Sequence, residues 1–592
     1  MKHLILFLLI LANFAGFSQT EVLAEQYFER GDFEKATLAF EEVVEKNPTN
    51  TGYLLKLVVC YQQMTAFSKA NDKLQAHYKK FKQPQLLVEI GYNFQLQKKD
   101  AEAQKYYQDA FAKIEENPSN AYSIAPAFEK KSLLENALKA YQLGLSKEPK
   151  MNFNYQMAQI YGQMGQLEEM IERFLDEVTE RPQATATIQN YLMRFMENAT
   201  EEQFGDLLRK SLLLRVQKTQ DIYWNQFLSW YFVQQRQFDR AFVQEKAIFK
   251  RAPESLSNIV NLAELAIEDN SNDTAKEMLE FILENTQNLD LQMRVHYFLL
   301  EMRLKKAVPE DYLVLENDFE LILKKYGISP FSLELQLLQA RFLTFYLNKS
   351  EQAKQQLETA MKLPLNEFQT AEIKMLLGDI LLREEKFNQA LLLYAQVETD
   401  LKNDEIGNEA SFKMAQTTYF NADFEWALTQ LKVLKSSTSQ LIANDALEIF
   451  LLINDQTHAD SAQVALKKFA KADFYRFQNK IDLAIAHFKK IALEHKGEEI
   501  EDLALLRLGT CYEIQNNHAE ALNNYVRLMT EFPESIYVDE ALYFAGNIYL
   551  NVLNDTAEAQ KCYEKIIFNH QDSIYFVEAR KKFRKIRGDD NL

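Results

Sequence analysis

The sequence predicts an all-α chain, a solenoid of stacked helix–turn–helix repeats. Three observations predict it: a recurring period, a composition poor in helix breakers, and apolar stripes that come in pairs. Tyr27, Phe33 and Ala36 return 34 residues later as Tyr61, Phe67 and Ala70, and Ala103 and Tyr107 return at the same interval as Ala137 and Tyr141. Towards the C-terminus, Gly509 and Tyr512 are answered after 37 residues by Gly546 and Tyr549, and Ala521 and Tyr525 after 38 by Ala559 and Tyr563. Such periods mark units that bury their apolar faces only by stacking on neighbours. With 11 Pro and 15 Gly among 592 residues, long stretches are free to be helical.

The first element reads as a leader over residues 1–18. Lys2 precedes a continuous apolar run, Leu4 to Ala12, and the small residues Gly16 and Ser18 stand before Gln19, the pattern of a secretory signal peptide. The run is too short to cross a bilayer comfortably, and no later stretch is long and apolar enough, so the mature chain is expected to lack a transmembrane span. No cysteine precedes Cys60, which argues against a lipid-modified N-terminal cysteine.

Residues 19–182 hold five units. In the first, Ala24 and Tyr27 share a helical face, Gly31-Asp32 breaks the helix, and Phe33, Ala36, Phe40 and Val43 form the stripe of a second helix that Asn47-Pro48 ends. The small or apolar second-helix positions are Ala36, Ala70, Ala103, Ala137 and Met170, each followed by Phe40, Leu74, Tyr107, Tyr141 or Phe174. Pro48, Pro84, Pro118, Pro149 and Pro182 close the units, and Gly165 is a turn glycine equivalent to Gly31. Residues 183–366 read as divergent helical pairs, with Trp224, Leu228 and Tyr231 on a first helix and Ala241 on the second, and with Ala353, Leu357 and Ala360 ahead of Pro364.

Regular repeats resume over 367–578, through Gly378, Phe387, Ala390 and Tyr394, then Phe424, Ala427 and Leu431, then Ala472, Tyr475, Ala484 and Phe488. Ser535 and Ser573, in the copied tripeptide Ser-Ile-Tyr, are expected to cap the helices that follow. Residues 579–592 read as a capping helix and tail, locally basic through Arg580, Lys581, Lys582, Arg584, Lys585 and Arg587. Cations suit a helix C-terminus; the same run also fits an anionic lipid or an acidic partner.

The order small, aromatic, Gly, aromatic, Ala, aromatic, Ala, Pro resembles the tetratricopeptide repeat family. That resemblance implies a right-handed superhelical α-solenoid that binds proteins. The longer C-terminal units resemble the repeats of bacterial envelope proteins, of the outer-membrane assembly lipoprotein and periplasmic cell-division coordinator type. Two departures stand out: the acylated cysteine is missing, and His570 replaces the expected Pro region of the final copy. The implied function is a non-catalytic scaffold or adaptor of the cell envelope mediating protein–protein interaction. A narrower role in outer-membrane protein assembly, secretion or peptidoglycan coordination stays open. The implied location is the periplasm or the outer-membrane surface of a Gram-negative bacterium. The implied partners are envelope proteins, with peripheral association at the envelope.

The sequence offers little chemistry. A formal charge of −18 repels phosphate backbones, so nucleic acid is not an expected partner. There is no GxSxG, P-loop, dinucleotide-binding glycine pattern or HExxH, and no catalytic residue, cofactor or metal is expected. His487, His495 and His518 come nearest to a metal set but lack an Asp or Cys at ligand spacing. Cys511 and Cys562 fall in adjacent repeats, where buried free thiols are expected ahead of a disulfide. The positions that chaperone-binding relatives use to grip a carboxylate hold Leu55, Val59, Leu506 and Thr510. A partner-binding groove is instead expected at first-helix positions away from the core stripes: Asn152, Tyr155, Gln159 and Gln163 in the fifth unit, and Tyr543 and Asn547 in the last. Tyr155 and Tyr543 are its expected anchors. A discrete non-helical pocket within 183–366 would point to an enzyme instead.

Overall fold

The computed structural model describes residues 20–197, 202–219, 221–402, 404–434, 440–459 and 463–588. The expected leader, 1–18, and the last four residues lie outside the described residues. Every regular element among the described residues is helical, and consecutive helices pack as antiparallel hairpins stacked on the next pair. The chain is an all-α helical-repeat solenoid, divided after Trp224 into two compact units.

In the first unit the hairpins begin with 20–29 and Phe33–Lys46, then Thr51–Gln63 and Phe67–Phe81. Side chains fix the helix starts. Asn50 Oδ1 accepts the Gly52 N–H at 2.9 Å, and Asp32 accepts from the Lys35 backbone at 3.4 Å and from its ammonium at 2.7 Å. A cap of this kind contributes about 1 kcal/mol. Ala36, Ala70, Ala103, Ala137 and Met170 are all at most 2 % exposed, as are the aromatic or apolar residues that follow them. The unit's last described helix pair, Thr185–Glu197 and Glu202–Thr219, is held back onto Leu167–Glu180 by Arg215, whose guanidinium lies 2.8 Å from both Glu172 and Asp176.

One backbone device recurs in the hairpin turns. Gly31, Thr65, Lys98, Ser132 and Gly165 adopt left-handed conformations with φ between 56° and 73°, at spacings of 34, 33, 34 and 33 residues. The next residue then donates its N–H to the carbonyl five positions back, Asp32 to Tyr27 and Ala66 to Tyr61 among them, at 2.8–3.1 Å. This closes the first helix with a Schellman motif and reverses the chain in the fewest residues. In the second unit Arg236, Asn270, Glu385, Ala422, Asn479 and Asn516 do the same, and only Gly31 and Gly165 had announced the turn in the sequence.

In the second unit the pairs continue through the divergent region: Ser257–Glu268 with Asn272–Asn285, Leu289–Lys306 with Tyr312–Tyr326, and Leu333–Phe345 with Ser350–Ala360. Glu367–Arg383 opens on a reciprocal capping box, Asn366 Oδ1 accepting the Gln369 N–H at 2.8 Å and Gln369 Oε1 the Asn366 N–H at 3.1 Å. Beyond it the core runs without a break from Ala371 to Ala579.

Two features depart from the sequence reading. A long helix, Gln440–Ala459, stands between the repeat ending at Leu434 and the hairpin Val464–Phe477 with Ile481–Glu494. That hairpin then reaches past its sequence neighbours. Asn479 Nδ2 donates to the Phe345 carbonyl at 3.0 Å, Gln478 Nε2 donates to the Arg383 carbonyl at 2.8 Å, and Phe477 meets Phe345 edge-on. Aromatic ends left bare on the earlier repeats are covered this way. Ser535 and Ser573 do not cap helices directly: their hydroxyls accept the N–H of Tyr537 and Tyr575, two residues on, and the helices start one residue later.

Candidate functional site: a cleft of four first helices

A cleft of about 680 Å³ in the second unit is built by four consecutive first helices. Glu334, Leu337, Leu338 and Arg341 face it from Leu333–Phe345, and Glu372, Met375, Leu376 and Asp379 from Glu367–Arg383. Both sets follow the spacing i, i+3, i+4, i+7 of one helical face. Ile406, Glu409 and Lys413 continue it on Glu405–Phe420, and Tyr297, Phe298 and Glu301 begin it on Leu289–Lys306. One repeated face thus becomes a continuous wall because first helices lie side by side.

Packing behind the wall is tight. Gly378 lets the Tyr394 ring close on its helix, since a Cβ there would stand 2.5 Å from the ring. The buried Tyr394 hydroxyl donates to Asp379 Oδ1 at 2.7 Å, and Lys413 reaches the same carboxylate at 2.8 and 3.1 Å. Asp379, 6 % exposed, therefore ties a second helix, its own first helix and the next first helix together.

The charges facing the cleft are mixed. Arg294 pairs with Glu264 and Lys305 with Glu301, while Arg341, Glu334 and Glu372 form no ion pair among the described residues. Loss of water around its carboxyl, and then the neighbouring charge of Glu334, raise Glu372 above the ordinary carboxylate range. Burial, followed by Glu301 and Glu334, raises the Tyr297 phenol. Apolar side chains beside unpaired charges of both signs suit a polypeptide, with its alternating side chains and polar backbone.

The positions expected from the sequence lie elsewhere. Asn152 accepts the Asn154 N–H at 2.8 Å just ahead of Asn154–Gln163, and its own amide nitrogen is buried without a hydrogen bond. Tyr155 packs edge-on against Phe174 and its hydroxyl accepts from Gln159 at 3.3 Å; Gln163 is exposed at the helix end. Tyr543 stacks on Tyr575 at 4.5 Å, under the Lys582 ammonium at 4.8 Å. Asn547 Oδ1 accepts from Tyr563 at 2.9 Å and from Lys582. Lys582 of the closing helix Phe576–Arg587 thus contacts both Tyr543 and Asn547, which stay half-buried. The four-helix cleft was missed because it spans the border between the divergent pairs and the regular repeats, so no single unit holds it, although the i, i+3, i+4, i+7 spacings from Glu334 to Arg341 and from Glu372 to Asp379 were there to read.

The remaining candidates are accounted for by packing. His487 lies against Tyr475, and His495 Nδ1 is 2.9 Å from Glu498. Among the described residues no three His, Cys, Asp or Glu side chains converge as a metal set. Cys511 and Cys562 are free and buried, and burial pushes each thiol up to about 11. No helix among the described residues is long and apolar enough to cross a membrane.

A stack of helical hairpins with a cleft along four first helices defines a helical-repeat protein. Residues 503–535 match the model of the tetratricopeptide repeat. A comparison with curated proteins finds no match. Among solved structures, the chain is similar to one of Naa15/Naa10 bound to HypK-THB, at 13% identity, 96% coverage of each chain and a TM-score of 0.27. It is also similar to one of the APC/C hetero-tetramer Cut9-Hcn1, at 12% identity, 96% coverage of each chain and a TM-score of 0.24. Superpositions at these scores carry no argument about the site.

Proposed function

We propose that the protein is a non-catalytic scaffold whose four-helix cleft seats a segment of a partner protein. One observation carries this reading: four successive first helices present matching faces to a single open cleft of about 680 Å³. Tyr297, Phe298 and Leu338 supply the apolar contact, and Arg341, Glu334 and Glu372 supply charges left without an ion pair inside the chain. The tetratricopeptide repeat match over 503–535 supports protein binding as the function.

The scaffold works in the bacterial cell envelope, exported by the leader at 1–18, with Lys2 and the run Leu4 to Ala12 as support. The 37- and 38-residue steps between the turns at Asn479, Asn516 and Asn554 favour the narrower reading of a role in outer-membrane protein assembly, secretion or peptidoglycan coordination. The test is capture of envelope proteins by the mature chain and by a Tyr297→Ala, Arg341→Ala variant. The scaffold reading expects specific partners that the variant loses. Equal capture by both proteins would overturn it, and a native N-terminus at Met1 would overturn export.

A further inference from the structure

The last helix, Phe576–Arg587, turns one face inward and another out. Ala579, Phe583 and Ile586, at i, i+4 and i+7, pack on the core of the second unit. Lys582, beside them, donates to the Tyr543 hydroxyl at 3.3 Å and to Asn547 Oδ1. The opposite face holds Val577, Lys581, Arg584 and Lys585, at i, i+4, i+7 and i+8, with Arg580 at its edge. Arg580, Lys581 and Lys585 are exposed, and neither they nor Arg584 make an ion pair among the described residues.

The sign of this charge is opposite to that of the chain, which carries −18. The only acid within the helix is Glu578, and the flanking Asp572, Asp589 and Asp590 leave the sum positive. At physiological ionic strength a charge is felt over about 8 Å, so whatever approaches this face meets the local cations and not the net charge. Two large apolar side chains stand beside them: Ile574, just ahead of the helix, is 76 % exposed, and Val577 is 71 % exposed. Side chains this far clear of the protein project instead of lining a groove, so a folded acidic partner finds them hard to bury. A bilayer accepts them. Its headgroups part around a projecting side chain, which leaves the apolar group at the acyl boundary and the cationic ends level with the phosphates.

We propose that this face docks the protein on an anionic phospholipid membrane. Ile574 and Val577 reach the acyl boundary, and Arg580, Lys581 and Lys585 meet the phosphates. The proposal rests on the envelope reading only for which membrane is met.

The test is co-flotation of the purified mature full-length chain with phosphatidylcholine vesicles, with and without phosphatidylglycerol. Partition onto the anionic vesicles should be at least about tenfold higher, and should fall as salt is added. Each cation near the surface contributes about fivefold, so Lys581→Gln with Lys585→Gln should cut it at least about tenfold, with an unchanged circular dichroism spectrum. Ile574→Ser with Val577→Ser should cut it at least about threefold. Lys79→Gln with Lys80→Gln, an exposed pair in the first unit, should leave it unchanged. Equal partition onto both vesicles, no partition onto either, or indifference to the lysine pair or to the apolar pair would overturn the docking face. Binding to soluble poly-glutamate without binding to vesicles would also overturn it, and would assign the cations to an acidic protein. Partner capture through Tyr297 and Arg341 does not involve this helix, so the two readings fail separately.

Discussion

Asp379 shows how much one buried side chain decides in this chain. It holds Tyr394 and Lys413 at once, and that is possible only because Gly378 admits the Tyr394 ring beside it. Gly378→Ala should therefore destabilise the second unit by about 1–3 kcal/mol through overpacking, read as a lower urea midpoint with an unchanged slope. The Gly378–Tyr394 pair was legible as a motif. The ion pair to Lys413 was not, because it joins residues 34 apart whose types recur all along the surface. Glu372 gives a pH test. Its carboxyl is raised in the folded state, so ionisation costs stability as pH rises from the unfolded value, about 4.3, through the folded one. Glu372→Gln should raise the melting temperature at pH 7 and bring no gain below about pH 4.

At the scale of the element, the repeat is a helix, a Schellman turn and a second helix. The paired helices were legible from the Ala and aromatic stripes, including Trp224, Leu228 and Tyr231, which do fall on Ile222–Gln234. The turn was legible only at Gly31 and Gly165, because most other copies hold a side chain in the left-handed region at a cost of roughly 1–2 kcal/mol. Thr65, β-branched with φ 58°, is the most strained of these. Thr65→Gly should stabilise the first unit by up to about 1 kcal/mol, after the entropy glycine loses on folding, measured by chemical denaturation. Gln440–Ala459 was not legible, since it packs through Ile442, Ala446 and Ile453 without the small–aromatic order that marks a repeat.

At the scale of the molecule, local contacts dominate each unit, and this sets how damage spreads. Ala521, fully buried between its paired helices, cannot take a leucine without displacing them. Ala521→Leu should speed amide exchange in 499–569 and leave the unit ending at Trp224 protected. Uniform loss across the chain would contradict a repeat architecture. The candidate site emerges only at this scale. No single repeat contains the cleft, and its wall appears when four first helices are set side by side, whereas Tyr155 and Tyr543 were read from single repeats. The most direct measurement of the central claim places a photo-crosslinking amino acid at Arg341, inside the cleft, and at Leu392, 61 % exposed on a second helix, in the full-length chain expressed in its native cells. A discrete partner adduct from position 341 and none from 392 is the predicted result; adducts from 392 with none from 341 would contradict the account.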